Sequence, residues 1–234
     1  MTDTKIEIQT SKHVENNVST GILDKLYSYF THIFYGNSWD IARNRGRDIS
    51  NGYKKTNGNA NCGGSNYELW DWMQDNQVSG GVDLLVIDGD RWSNDSPGCG
   101  GGSSAYVSVN DGSIANVADP STGNSYLIGD GTEGKGEREI STALMEVGHC
   151  WNVAHDDGIS ILDLDSPARD CVSPMIGNYA SRKDGSLNNC DYEIKYNDYS
   201  IERRFCAYTD CAAQNIPNSD GIKHYSHSEL AGGV

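Results

Sequence analysis

Apolar positions along this chain fall into two periods. From Gly21 onward, Ile22, Leu23, Leu26, Tyr29, Phe30 and Ile33 recur at helical spacing, and the stretch to Ile49 reads as helix. Val82-Asp-Leu-Leu-Val-Ile-Asp88 is a compact apolar run bounded by Gly-Gly and Gly-Asp, the pattern of a buried strand. Ala105–Val109 alternates like a half-buried strand. Asp111-Gly112 offers a turn, Ser113–Ala118 is expected to return as a partner strand, and Asn124–Ile128 reads as a weaker strand. Ile140, Ala143, Leu144, Val147 and Trp151 form one stripe that predicts an amphipathic helix over Glu139–Trp151. Acidic Glu137 and Glu139 sit near its start, where the helix dipole favours them. Tyr67–Asn76 reads as a short helix, and the Asn- and Gly-rich stretches 51–65 and 93–103 read as loops. The expected organisation is a polar, frayed extension over 1–18, one domain over 19–212, and a polar tail over 213–234.

Composition narrows the partners. The net charge is −15, from 33 acids against 18 bases, and no segment gathers the bases into a cluster. That argues against nucleic acid or an anionic membrane as partner. The runs Arg43–Arg47 and Arg203-Arg204 are short enough to read as solvated faces. No run of about 20 apolar residues exists to span a membrane. Seven cysteines stand at 62, 99, 150, 171, 190, 206 and 211, and none forms a C-x-x-C pair. A disulfide framework is the better reading, which points to a secreted, extracellular protein. The odd count leaves a thiol free or externally paired. Pairing of Cys150 with Cys171 or Cys190, and of Cys206 with Cys211, are guesses. Met1–Ser19 has no apolar signal core, so either the export signal is not in this sequence or the cysteines are reduced.

The chemistry concentrates in one stretch, Thr142-Ala-Leu-Met-Glu-Val-Gly-His-Cys-Trp-Asn-Val-Ala-His155. Met145 and His149 are one helical turn apart, the geometry that lets two side chains grip one metal. Asn152 stands where the helix must end, and Asn is the usual second choice after Gly for a left-handed turn residue. A turn there brings His155 back toward His149. An E-x-x-H pair on an amphipathic helix arises often by chance, and the di-iron form of that pattern needs a second copy that this chain lacks. The other histidines read as ordinary. His13 lies in the polar N-terminus, His224 and His227 in the polar tail, and His32 beside the first helix's stripe as a packing residue.

Glu146, His149, His155, the His149–Asp156 run and the downstream Cys171-Val-Ser-Pro-Met-Ile-Gly-Asn-Tyr179 resemble the metzincin clan of zinc endopeptidases. Asp156 directly after the last histidine is similar to the adamalysin/reprolysin branch. The resemblance covers about residues 20 to 210, but only the helix and the segment around Met175 are specific. It implies an α/β (α+β) catalytic domain: a twisted, mostly parallel sheet, an active-site helix and an irregular C-terminal part. It places Val82–Asp88 as a central strand and Ala105–Val109 as the edge strand above the cleft. It also implies zinc held by histidines, here His149 and His155, with Glu146 as general base and Met175 as the hydrophobic floor of a Met-turn. The substrate would be a protein or peptide. A structural calcium ion is left open. Tyr179 does not match the spacing of the clan's tyrosine, and no role is carried over to it.

The departure is Met145, which occupies the first metal-ligand position. A neutral thioether suits Cu(I) or haem iron better than Zn(II). Weak zinc binding and reduced or absent activity are therefore expected. Cys150, Asp156, Asp157 or an external ligand are the candidates to replace it, although Cys150 projects about 100° around the helix from His149 and reads better as a disulfide half, and the adjacent side chains of His155 and Asp156 rarely converge. Three accounts stay open: a divergent inactive relative, a variant with a replaced ligand, and a site that works with another third ligand. The leading reading is a zinc-dependent endopeptidase-type domain, and the alternative is an inactive binding or regulatory module on the same fold. A disulfide-stapled structural domain would leave the 145–155 spacing unexplained, and the chain has no G-x-S-x-G for a serine hydrolase. The loops 89–104 and 158–174, where specificity pockets would lie, carry no readable pattern.

Overall fold

A computed structural model describes residues 4–49, 67–77, 80–89, 98–109, 111–120, 127–129, 134–162, 170–176, 186–187, 193–194, 201–226 and 229. The elements in chain order are β1 (Thr4–Ser11), α1 (Lys12–Asn17), α2 (Gly21–Ile33), β2 (Trp39–Arg47), α3 (Tyr67–Asp75), β3 (Val82–Asp88), β4 (Gly98–Gly101), β5 (Ser104–Val109), α4 (Ser113–Asn116) and α5 (Lys135–His149). They are followed by β6 (Ser160–Leu162), β7 (Asp170–Val172), β8 (Ser186–Leu187), β9 (Glu193–Ile194), β10 (Ile201–Arg204), β11 (Tyr208–Thr209), α6 (Asp210–Asn215) and β12 (His224–Tyr225).

The main sheet has five strands in the order β2-β1-β3-β5-β4. Four are parallel, and β4 runs antiparallel at one edge. Alternation along β1 and β3 divides the side chains between two layers. Ile6, Ile8, Val82, Leu84 and Val86 pack with α2 and α5 in the larger core. Leu85, Ile87, Cys99 and Tyr106 pack with Leu69 and Met73 of α3 on the opposite face. The expected mostly parallel α/β architecture is what the chain adopts, and β3 has the predicted bounds.

Several expectations are corrected. Residues 4–18 are not a frayed extension: β1 lies between β2 and β3 in the sheet, with Ile6 and Ile8 fully buried. Replacing Ile8 by Ala is expected to cost about 2–4 kcal/mol in denaturant unfolding, because a cavity opens in a close-packed layer. A loss below about 0.5 kcal/mol, typical of a surface site, would contradict the placement of β1. The first helix stops at Ile33 rather than Ile49, and Trp39–Arg47 is a strand. The Arg43–Arg47 run is bound to partners rather than merely solvated. Arg43 and Arg45 pair with Asp24, Arg45 also with Glu15, and Arg47 lies over the Trp72 ring.

Ser113–Asn116 is a helical turn, not a returning strand; of the expected strand Asn124–Ile128, residues 124–126 lie outside the described residues, and Leu127 pairs with Phe205 in an isolated bridge. The expected loop over 93–103 contains β4, so the sheet edge is β4 and not Ala105–Val109. The tail after 212 is packed as far as Tyr225. Ile216 and Ile222 are buried, Lys223 N–H donates to Ile33 O at 2.7 Å, and β12 pairs with β11. Arg204 is 1% exposed, with a guanidinium N–H donating to Ser141 Oγ at 3.3 Å, so it is no solvated residue.

Cys150 and Cys206 are free and buried, which removes both guessed pairings. Cys99 and Cys211 are each engaged in a disulfide. The stretch 51–65, Tyr179, His227, Cys62 and Cys190 lie outside the described residues. No helix among the described residues is long and apolar enough to cross a membrane.

Candidate functional site

Helix α5 carries the site. Glu137 accepts from the Gly134 N–H at 3.0 Å and so caps the helix start, which lies four residues before the predicted one. Nearly the whole helix is buried, from Glu139 to Gly148, because the sheet packs on one side and the C-terminal segments on the other. An amphipathic stripe understates that environment. Met145 is 3% exposed and belongs to the large core.

The helix ends two residues before the expected Trp151, but the reversal at Asn152 falls where expected. His149 is its last residue, Asn152 takes φ 62°, and Val153 N–H reaches back to Gly148 O at 3.2 Å. This left-handed reversal leads into a 3-10 turn, His155–Asp157. The two imidazoles meet edge to face, with ring centroids 4.7 Å apart.

Each ring is held through Nδ1. His149 Nδ1–H donates to Val153 O at 2.8 Å, and His155 Nδ1–H donates to Met175 O at 2.7 Å. A carbonyl partner fixes the Nδ1–H tautomer and leaves Nε2 as the nitrogen that can take a metal. Burial lowers the His149 pKa, and the charge of His155 lowers it further, against the opposing effect of the Val153 carbonyl. A neutral imidazole is the form a metal needs.

Met175 lies in the 3-10 turn Pro174–Ile176 and is fully buried. A Cβ added at Gly148 would stand 2.9 Å from its sulfur and 3.4 Å from the Tyr208 ring. Gly148 thus lets Met175 and Tyr208 press against the helix immediately before His149. Tyr208 also donates to Leu144 O at 2.6 Å. Sequence reading had no signal for Tyr208.

Glu146 is 4% exposed, and among the described residues no donor reaches its carboxylate. Burial alone pushes its pKa up to about 8. The edge strand β4 lies directly over it. A Cβ at Gly98 would stand 2.7 Å from Glu146 Cγ, and one at Gly100 would overlap the Glu146 carbonyl oxygen. The alternate glycines of Gly98-Cys99-Gly100 are the signal that could have revealed this approach. Replacing Gly100 by Ala is expected to destabilise the fold by about 1–3 kcal/mol or more, since backbone must move. Chemical denaturation checks it, and an unchanged midpoint would contradict the packing of β4 on α5.

Asp157 is buried, and its carboxylate accepts from Ala154 N–H at 2.6 Å and Asn215 Nδ2 at 3.4 Å, tying the His155 turn to α6. The Asp157 carboxylate is thus engaged within the fold, while Asp156 is exposed. Cys150 is turned toward β5, its thiol donating to Ser104 O at 3.3 Å, with a pKa raised to about 12 by burial.

The donor set fits a zinc ion in part. Two imidazoles with satisfied Nδ1 atoms suit it, but position 145, one turn before His149, holds a core-packed thioether. Among the described residues no group of three or more His, Cys, Asp or Glu side chains is arranged to hold a metal.

No protein-family profile and no curated protein matches this sequence. Among solved structures the chain is similar to an archaemetzincin from Methanopyrus kandleri, at 16% identity and a TM-score of 0.39, over 66% of this chain and 76% of that one. That similarity is too distant to assign a family.

Proposed function

We propose that this chain is a metzincin-type zinc endopeptidase domain in which loss of one imidazole, at Met145, has weakened metal binding and turnover. The observation that carries the proposal is the convergence of His149 and His155, each locked by a backbone carbonyl, with Glu146 on the same helix beneath an edge strand. A bound zinc would supply Lewis-acid polarisation of the scissile carbonyl and a water of lowered pKa.

This chain's residues do the rest. His149 and His155 offer Nε2 as ligands. Glu146 takes the proton of the attacking water and later gives it to the leaving amine. Its burial holds its proton affinity near neutrality, and a nearby cation would lower it. An extended peptide substrate would lie along β4, the antiparallel edge strand of the main sheet. Met175 and Tyr208 keep the floor apolar and rigid.

A second reading, an inactive binding module on this fold, is favoured by one observation. The Met145 side chain is packed in the core, as a structural residue would be. Casein hydrolysis in zinc-supplemented buffer separates the two. Cleavage that a chelator abolishes and zinc restores supports the peptidase. Absence of cleavage both in this chain and in its Met145→His variant supports the module.

A further inference from the structure

Five lysines lie among the described residues, and four pair with carboxylates: Lys5 with Glu7, Lys12 with Asp48, Lys25 with Asp119 and Lys135 with Asp111. Lys223 differs. Its Nζ stands 2.5 Å from His32 Nε2, an imidazole nitrogen. In a chain with 33 acids and 18 bases, an ammonium placed against an imidazole instead of a carboxylate is unexpected.

Two fixed pieces of backbone build the pair. His32 lies in the last turn of α2. Lys223 is clamped by its N–H donating to Ile33 O at 2.7 Å and by its carbonyl accepting from Tyr208 N–H at 3.2 Å. Both side chains are half-buried, so the pair is partly desolvated and still partly open to solvent. For the Nζ–H to donate at this distance, His32 must be neutral at Nε2. Burial lowers the pKa of Lys223, and burial and then the Lys223 charge lower that of His32. The other titratable group bearing on Lys223 is the Cys206 thiol, itself pushed up to about 12 and so neutral.

We propose that Lys223 is a nucleophilic amine and an acylation site, with His32 as the base that takes its proton and an activated acyl compound, an anhydride or thioester, as its substrate. A nucleophile within hydrogen-bond reach of an oriented base is the arrangement that activates side-chain amines. The step starts from the neutral –NH2 form of Lys223, whose ammonium proton has already gone to solvent; its Nζ lone pair attacks the acyl carbon and a C–N bond forms. The bond from that carbon to the leaving oxygen or sulfur breaks, and its electron pair departs with the leaving group. The proton lost by Nζ passes to His32 Nε2. No electron is gained or lost overall. The site is remote in sequence from His149 and His155 and does not depend on a metal.

Competitive labelling tests it. The folded protein is treated near neutral pH with limiting acetic anhydride, denatured, and the remaining amines are labelled with the deuterated reagent. Mass spectrometry then gives a rate for each lysine. Lys223 is expected to react at least about threefold faster than each of Lys5, Lys12, Lys25 and Lys135, because a depressed pKa raises the free-amine fraction. His32→Gln keeps an acceptor but takes no proton, and is expected to slow Lys223 by at least about threefold with the other four unchanged. Lys223 reacting no faster than the salt-bridged lysines would overturn the proposal. So would an unchanged Lys223 rate in a His32→Gln protein with native circular dichroism. If that variant fails to fold, the ranking in the unaltered chain decides.

Discussion

Met145→His is expected to raise zinc affinity by at least about 100-fold and to bring chelator-sensitive peptide hydrolysis with it. The size follows from what metal sites lose on smaller changes: removing a partner that only orients a ligand costs about 10–100-fold, and restoring a ligand itself should return more. Positions 145 and 149 lie one turn apart on α5, so a third imidazole would enter beside two already held through their Nδ1 atoms. The substitution has a cost. Met145 is 3% exposed within the core, and a polar ring there is expected to lower metal-free stability by about 1–3 kcal/mol. Zinc should more than offset that loss, so the variant is less stable than the parent without metal and more stable with it. Competition against a chelator of known affinity measures the gain. A folded Met145→His protein with the parent's zinc affinity would remove the case for a metal site on this helix.

Glu146→Gln is expected to have two effects of opposite sign. In the zinc-loaded Met145→His background it should lower hydrolysis by about 10²–10⁴-fold, the usual worth of a positioned proton-transfer group, while zinc affinity barely changes. In the metal-free parent it should stabilise the fold, and only at higher pH. The carboxyl pKa rises from 4.5 to about 8 on folding, so between those values the native state binds the proton more tightly than the unfolded chain. Stability therefore falls as pH rises through that window, and the penalty is complete above it. An amide carries no such penalty. The variant should match the parent near pH 4 and exceed it by about 1–3 kcal/mol near pH 8, a fraction of the full linkage at about 1.4 kcal/mol per unit. Urea melts at the two pH values check this, and equal differences at both would mean that the carboxyl pKa is not raised in the folded protein.

The legible parts of the molecule were those set by local geometry. β3 could be bounded from sequence because it is buried on both faces and closed by glycines. The helix, the Asn152 reversal and the return of His155 follow from one turn of α-helix and one left-handed residue. β1 escaped because Thr4-Lys-Ile-Glu-Ile-Gln-Thr-Ser11 looks half polar, yet Glu7 and Gln9 are buried on the second face of a parallel sheet. β2 escaped because its arginines suggest solvent, whereas Asp24, Glu15 and Trp72 meet them across the fold. The glycines of β4 read as a loop, since only the presence of α5 beneath shows why side chains are excluded there. The partners of the two imidazoles are backbone carbonyls, one four residues and the other 20 residues away, and no residue type announces a carbonyl.

The most direct test of a metal-peptidase site short of one ligand is calorimetric titration of zinc into the unaltered chain, with His149→Ala and His155→Ala as controls. The expected result is one weak site, micromolar or poorer, that either substitution abolishes. A tightly bound zinc with full peptidase turnover would contradict the weakening assigned to Met145, and zinc binding that survives both substitutions would contradict the site itself.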